Sequence, residues 1–171
     1  MKGSVLGLST LAFWASDVCS APWGSLIEVR TEHHLQDVVA LRHWFHANPE
    51  LGNREFNTSA RIAQELKDLG FDDVKEGIAH TGVVGMLRGG RPGPTVALRA
   101  DMDALPVKEK TGLPFASTVT TLWGGVETGV MHACGHDAHM AILLGVARVL
   151  SDMRAEIPGT VMFVFQPAEE G

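Results

Sequence analysis

The chain has 171 residues, of which 45% are hydrophobic and 20% are charged, so it is long and apolar enough to form one folded domain. Acidic residues outnumber basic ones 20 to 14, and the scattered lysines and arginines form no stripe of the kind that binds a phosphate backbone. We therefore expect no nucleic-acid partner. Cys19 and Cys134 lie far apart, which argues against a disulfide framework and leaves Cys134 as a metal ligand or an inert core thiol.

Residues 1–30 have the order of a secretory signal peptide. Lys2 precedes an apolar run from Val5 to Trp14, and small residues follow as far as Ala21. The run is too short for a permanent membrane helix, so we expect no stable membrane span. The alternative is an unstructured N-terminus. The location of the protein therefore stays open. It would be periplasmic or secreted if the N-terminus is a signal peptide, and cytoplasmic otherwise.

Two amphipathic helices are predicted next. Thr31 is a good N-cap for a helix over 31–46, which Pro49 ends. The side chains that we expect to face the core are Leu35, Val38, Val39, Leu41 and Phe45. A second helix is predicted over 57–69, with Gly70 as its C′ residue.

The hydrophobic pattern then changes to that of strands. Residues 83–87 and 95–100 are typical of two strands, and the segment 89–94 between them is rich in Gly and Pro. We expect these strands to form a hairpin. Residues 105–130 contain several Gly, Pro and Thr residues and are predicted to form loops with short strands.

The last third of the chain adds one helix and one strand. A long helix is predicted from Asp137, because apolar residues follow the i, i+3, i+4, i+7 pattern up to the break at Pro158. The apolar run 160–165 is typical of a strand buried on both faces of a sheet. The order of elements predicts an α/β fold with a mixed sheet sandwiched by helices.

Side chains that can ligate a metal are concentrated just before and at the start of that helix. Cys134 and His136 are separated by one residue, so both can point into the same space, and a thiolate with an imidazole suits zinc or a similar cation. His132 and His139 complete the group. A single histidine is more often structural, but four such side chains within eight residues favour a metal site.

Two acidic pairs follow predicted strands. Glu169 and Glu170 come after the strand 160–165, at the sheet edge where α/β proteins place their ligands. Neighbouring residues on an extended chain face opposite ways, so one carboxylate would bind metal and the other would act as general base. A solvated acidic loop is the alternative. Asp101 and Asp103 share one side of their strand and would ligate metal, orient a ligating histidine, or simply lie in a surface turn.

Five ordered motifs along the chain resemble one known family. They are residues 46–52, 80–82, 99–106, 131–139 and 165–171. Together they resemble the M20 metallopeptidase family, and within it the amidohydrolases that include hippurate hydrolase and the plant auxin-conjugate (IAA-amino acid) hydrolases. The resemblance implies that residues 31–171 are the N-terminal part of a zinc-peptidase-like catalytic domain, truncated before a smaller lid or dimerisation domain.

The resemblance also assigns roles to residues. It implies that Cys134, His136 and Glu170 are metal ligands and that Glu169 is the general base. It places Asp103 where related peptidases have the acid that supports the metal centre. Asp101 stands where many of them have a ligating histidine. His139 is a further candidate as a ligand or as a partner of one. The implied cofactor is a divalent metal, with two ions (Zn, Mn, Co or Ni) per complete site.

The activity implied by the resemblance is hydrolysis of the amide bond of a small N-acyl or N-aroyl amino acid, such as hippurate, by a metal-activated water. The complete enzyme is expected to form a homo-oligomer. Two alternatives stay open: an incomplete, inactive fragment that binds metal weakly, and an interaction module held by a closed four-ligand zinc site. The sequence leaves the acyl group, the amino acid and the identity of the metal open.

Overall fold

The structure, a computed structural model, describes residues 23–171. Residues 1–22 of the predicted signal peptide therefore lie outside the described part of the chain. Residues 23–30, which we expected in that N-terminal segment, form the first two turns of helix α1 (Trp23–Ala47), so the predicted N-cap at Thr31 is wrong. The reason is that residues 25–31 contain neither Gly nor Pro, so nothing interrupts the helix before Thr31. None of the helices within 23–171 is long and apolar enough to cross a membrane.

Helix α1 buries only its C-terminal part. Leu41 and Phe45 are fully buried as predicted, but Leu35 and Val39 are exposed, which corrects their expected place in the core. Val38 is half-buried against α3 (His136–Asp152), where a Cβ at Gly145 would lie 2.7 Å from Val38 Cγ2. The first half of α1 packs along α3, where Arg30 and His34 both contact the Asp152 carboxylate.

Helix α2 (Phe56–Asp68) confirms the second predicted helix. It buries Ile62 and Leu66, and it ends as expected at Gly70, which has a φ of 72°. The amide of Gly70 donates to the carbonyl of Lys67, and that of Phe71 donates to the carbonyl of Leu66. This is the Schellman pattern, in which a left-handed residue satisfies the last carbonyls of a helix.

Six strands complete the described part of the chain. They are β1 (Asp73–Ile78), β2 (Gly82–Arg88), β3 (Arg91–Asp101), β4 (Thr120–Trp123), β5 (Val126–Gly129) and β6 (Pro158–Gln166). Four of them form one mixed sheet in the order β1-β2-β6-β3, in which β6 is antiparallel to β2 and parallel to β3. Strands β4 and β5 form a separate short hairpin, which confirms the prediction of short strands within 105–130.

The predicted hairpin between residues 83–87 and 95–100 is wrong, because β6 lies between these two strands. The glycine-rich connection passes across the start of β6 instead of turning back on itself. The amide of Gly89 donates to the carbonyl of Gly159 at 2.8 Å, and a Cβ at Gly89 would lie 2.1 Å from the carbonyl oxygen of Ile157. The glycine thus permits a close backbone crossing, which the sequence pattern did not distinguish from a tight turn.

One hydrophobic core joins the three helices to the sheet. Phe163 and Phe165 of β6 are fully buried in it, while the intervening Met162 and Val164 are only half-buried and point to the other face. The expected burial of β6 on both faces is therefore not found within residues 23–171. The mixed α/β fold itself is confirmed.

A small charged cluster joins the connection after α2 to the end of β2 and to Arg154, and it gives a first testable prediction. The amide of Arg88 donates to Asp72 Oδ2 at 2.7 Å, and Arg154 forms an ion pair with the same carboxylate. The hydrogen bond from Arg88 and the charge of Arg154 hold the pKa of Asp72 below its ordinary value despite some burial. Asp72 therefore stabilises the fold above the ordinary carboxyl pKa, and this contribution is lost as the pH falls through the lowered pKa.

We expect Asp72→Asn to lower the free energy of unfolding by about 1 kcal/mol near neutral pH, measured by urea denaturation. The difference from wild type should begin to shrink as the pH falls below the ordinary carboxyl value of about 4, and it should be lost once the pH has fallen through the lowered pKa of Asp72. Asp73→Asn is the matched control, since the Asp73 carboxylate lies 3.5 Å from the exposed Lys75 and makes no backbone contact of this kind. Equal losses of unfolding free energy in Asp72→Asn and Asp73→Asn would contradict the prediction.

Candidate metal centre

The site lies where three elements end or begin at one edge of the sheet. Strands β3 and β6 are parallel, with Asp101 in register with Gln166, so their carboxyl ends meet there. Helix α3 begins at the same edge, after Gly135 with a φ of 90°. This left-handed residue turns the chain directly into the helix, so the first helical residue, His136, points at the sheet edge.

His136 lies at the centre of the cluster and is almost fully buried. Its Nδ1 is 2.9 Å from the backbone carbonyl oxygen of Asp103, and this hydrogen bond assigns the ring proton to Nδ1. Its Nε2 then carries a free lone pair. That nitrogen lies 3.8 Å from Asp101 Oδ2, 3.8 Å from Glu169 Oε2 and 3.9 Å from Glu170 Oε1. A histidine oriented by a backbone carbonyl in this way is typical of metal ligands.

Within residues 23–171, two sets of side chains could hold a metal ion, and they share His136. Cys134, His136 and Glu170 form one set, and Asp101, His136 and His139 form the other; within each set the ligand atoms lie within 4.8 Å of one another. The structure thus brings together five of the residues predicted from sequence. Asp103 and Glu169 lie against the same histidine.

The charge balance of the cluster fits a cation. Asp103 is 1% exposed, and its Oδ1 has no hydrogen-bond partner within residues 23–171. Asp101 is also buried and pairs with Arg99 Nη2 at 2.5 Å. Four carboxylates, counting Glu169 and Glu170, therefore surround one imidazole. Because buried carboxylates are costly unless a positive charge compensates them, this donor set suits a divalent cation.

Cys134 is a free thiol and is exposed, so the alternative of an inert core thiol is wrong. Its hydrogen bond with the Glu170 carboxylate, together with the neighbouring negative charges, raises the pKa of the Cys134 thiol above its ordinary value. Without a cation the thiol therefore keeps its proton. A bound cation would take the place of that proton, as thiolate ligation requires.

The chain after β6 is not extended, which corrects the expected directions of the two glutamates. Ala168 has a φ of 49°, and this left-handed residue bends the backbone so that Glu169 and Glu170 both approach Nε2 of His136. The Glu169 side chain is 41% exposed and that of Glu170 is 26% exposed. The site is accordingly open to solvent on the side of the glutamates.

A buried polar group next to the site was missed by the sequence reasoning. His46 Nδ1 lies 2.8 Å from Asp137 Oδ2, and His46 Nε2 lies 3.1 Å from Glu109 Oε1. Arg42 donates to the same oxygen of Asp137 at 2.9 Å. These contacts tie α1 and the 105–119 loop to the first turn of α3. The signal was present, since His46 and Asp137 fall within two of the motifs, but the spacing alone did not pair them.

His132 lies outside both metal-capable sets. It is buried, and burial lowers its pKa to about 4, so the ring is neutral at physiological pH. Neither ring nitrogen has a hydrogen-bond partner among the described residues. The structure thus leaves His132 out of both sets of converging ligand atoms, next to the charges of Asp137 and Asp103.

The mixed α/β fold carries metal-capable side chains at the carboxyl edge of its sheet. These two features define the class of protein as a metal-binding α/β domain. Residues 97–171 match the model of the family described as Peptidase family M20/M25/M40. Thermostable carboxypeptidase 1 of Saccharolobus solfataricus is 50% identical over 134 residues, which cover 78% of this chain and 32% of that protein. IAA-amino acid hydrolase ILR1-like 2 of Arabidopsis thaliana is 40% identical over 168 residues, which cover 98% of this chain and 36% of that protein.

A solved structure of an M20 family protein is also similar to this chain. The YXEP protein of Bacillus subtilis, described as a dinuclear metal binding peptidase from the M20 family, has a TM-score of 0.72 at 41% identity, covering 81% of this chain and 37% of that one. The resemblance to the M20 family and its amidohydrolase branch is therefore confirmed. The chain spans about one third of the length of these relatives.

Proposed function

We propose that this chain supplies metal ligands and the general base of a metal-dependent amidohydrolase that cleaves the amide bond of N-acyl or N-aroyl amino acids. The observation that carries the proposal is the meeting of Cys134, His136 and Glu170 at one point, with the exposed carboxylate of Glu169 beside them. Two of the relatives named above support this proposal, because their names, a carboxypeptidase and an IAA-amino acid hydrolase, describe enzymes that release an amino acid by hydrolysis.

Three residues would hold the cation: Cys134, His136 and Glu170. Asp101 and His139 would add donors for a second ion, in line with the dinuclear Bacillus relative, and Asp103 would orient His136 from behind. A bound divalent ion, whether Zn, Mn, Co or Ni, would polarise the substrate carbonyl and make water a stronger acid. The mixed donor set of sulfur, nitrogen and oxygen fits any of these ions.

Glu169 is the residue suited to proton transfer. Its carboxylate lies 3.8 Å from His136 Nε2 and, at 41% exposed, is accessible to water and substrate. It would accept a proton from the attacking water and later donate that proton to the leaving amine nitrogen. Both steps need a carboxylate at the mouth of the site, which is where the bend at Ala168 places it.

The proposal extends to the organisation of the complete protein. Residues 31–171, together with the first turns of α1, would form part of the catalytic domain. A second, smaller domain would close over the substrate, and the complete enzyme would be a homo-oligomer. The short fraction of each relative that this chain covers, about one third, is consistent with such a division.

The test is an assay of the complete protein with hippurate and with N-acetyl amino acids, following the released amine. We expect turnover that is lost after treatment with a chelator and restored by one of the four divalent ions. A peptide with a free amino terminus serves as the comparison substrate. Turnover of hippurate that survives complete removal of metal would exclude the proposed mechanism, and cleavage of the peptide alone would exclude the proposed substrate class.

A further inference from the structure

We infer that Glu55 is a positioning residue that fixes the loop carrying Glu169 and Glu170, an inference that rests on the function proposed above for those two glutamates. Glu55 lies just before α2, more than a hundred residues earlier in the chain. Its side chain is 0% exposed. Glutamate is almost never fully buried unless its carboxyl group is hydrogen-bonded, so this burial requires specific partners.

Glu55 joins two strand ends at the edge of the sheet that carries the site. Its Oε1 accepts a hydrogen bond from the amide of Ala168 at 2.9 Å, and its Oε2 accepts one from the hydroxyl of Thr81 at 2.6 Å. Thr81 is itself buried and directly precedes β2, whereas Ala168 follows β6. Because β2 and β6 are paired neighbours, one carboxyl group links the start of one strand to the exit of the other.

Helix capping does not explain Glu55. It is the N-cap residue of α2, yet its side chain makes no hydrogen bond to that helix. Glu50 takes the capping role, since its carboxylate accepts hydrogen bonds from the amides of Asn57 at 3.2 Å and Thr58 at 2.9 Å. Glutamate is also a poor N-cap compared with Ser, Asp or Asn. The carboxyl group at position 55 therefore serves the loop and not the helix.

The loop needs to be held, because its backbone is in an unfavourable conformation. Ala168 has a φ of 49°, which a residue with a Cβ rarely adopts without support from its surroundings. The amide of Glu170 donates to Asp103 Oδ2 at 2.9 Å. Carboxyl groups thus hold the amides on both sides of Glu169, with Glu55 on one side and Asp103 on the other.

The close packing around Ala168 supports this function of Glu55. A Cβ at Gly52 would lie 3.2 Å from Ala168 Cα, and one at Gly82 would lie 2.9 Å from Pro167 Cδ. Two glycines in the motifs 46–52 and 80–82 therefore let neighbouring backbone approach the loop. Loss of the Glu55 carboxyl group would free the amide of Ala168 and let the bend relax, which would move both glutamates relative to His136.

Three variants separate positioning from general stability. Glu55→Met keeps the length and apolar volume of the side chain but removes both acceptors. Glu55→Gln preserves both contacts, since its amide oxygen accepts from Ala168 and its amide nitrogen donates to the Thr81 hydroxyl. Glu50→Ala is the matched control, because it removes the cap of α2 without contacting the loop.

The complete protein is measured in two ways, by amide hydrogen exchange over 168–170 without metal and by hippurate turnover with metal. In Glu55→Met we expect the amide of Ala168 to exchange at least about tenfold faster, and kcat to fall about tenfold or more with KM changed by less than about twofold. Glu55→Gln should restore both quantities to within about threefold of wild type. Glu50→Ala should lower the melting temperature alone.

Unchanged exchange and unchanged kcat in Glu55→Met would overturn the inference. Equal losses of kcat in Glu55→Met and Glu50→Ala at equal losses of stability would overturn it as well, because the effect would then come from α2. If the wild-type protein released no amine from hippurate, the proposed function would fail. The exchange measurement would still decide whether Glu55 holds the loop.

Discussion

Replacing Glu169 by Gln in the complete protein is expected to lower kcat for amide hydrolysis by about 100-fold or more, the scale of losing a general base. The amide of glutamine has nearly the same shape but cannot accept a proton from water. The side chain is 41% exposed, so the substitution leaves no buried group unpaired and should leave the melting temperature unchanged. Steady-state kinetics and metal analysis on the same sample test both statements.

Metal content should stay near the wild-type value in this variant, since Glu169 belongs to neither of the two sets of metal-capable side chains. Glu127→Gln is the control: it makes the same chemical change on the exposed hairpin strand β5. Unchanged turnover in Glu169→Gln would remove this residue from the mechanism. Loss of metal together with loss of turnover would instead make Glu169 a ligand, and the assignment of the base would then have to change.

The sequence predicted the helices of this protein better than the connections of its strands. Helical spacing and the glycine after Leu69 fixed α2 to within one residue, because those signals are local. The pairing of β2 and β3 with β6 depends on residues some 70 positions apart. A glycine-rich segment such as 89–94 has the same composition whether it forms a tight turn or crosses another strand. The sequence pattern therefore could not distinguish a hairpin turn from a crossing connection.

The same contrast holds for the site. Cys134, His136 and Glu170 were identified from residue type, spacing and resemblance, and the fold brings their ligand atoms together. Glu55 gave no such signal as a single residue. Its importance is visible only in three dimensions, where its burial and its contact with the amide of Ala168 appear. The bend at Ala168 was likewise unpredictable, because alanine has no preference for a left-handed conformation.

Replacing Cys134 by Ala is expected to lower the affinity for divalent metal by more than about 100-fold, since even partners outside the coordination sphere cost 10- to 100-fold. The thiol is the soft donor of the set that it forms with His136 and Glu170. Its removal leaves two donors, which hold zinc weakly. Competition with a chromophoric chelator on the complete protein measures the affinity. Loss of the cobalt–thiolate absorption band would confirm that the lost donor is sulfur.

The fold should not change in Cys134→Ala, because Cys134 is exposed and contributes no core volume. The melting temperature of the metal-free variant should therefore equal that of the metal-free wild type, and only the stabilisation by added metal should disappear. Ala133→Ser is the matched control, as it alters the exposed neighbouring position without touching a donor. Full metal occupancy with retained turnover in Cys134→Ala would show that the thiol is not a ligand, and the Asp101, His136 and His139 set would then be the stronger candidate.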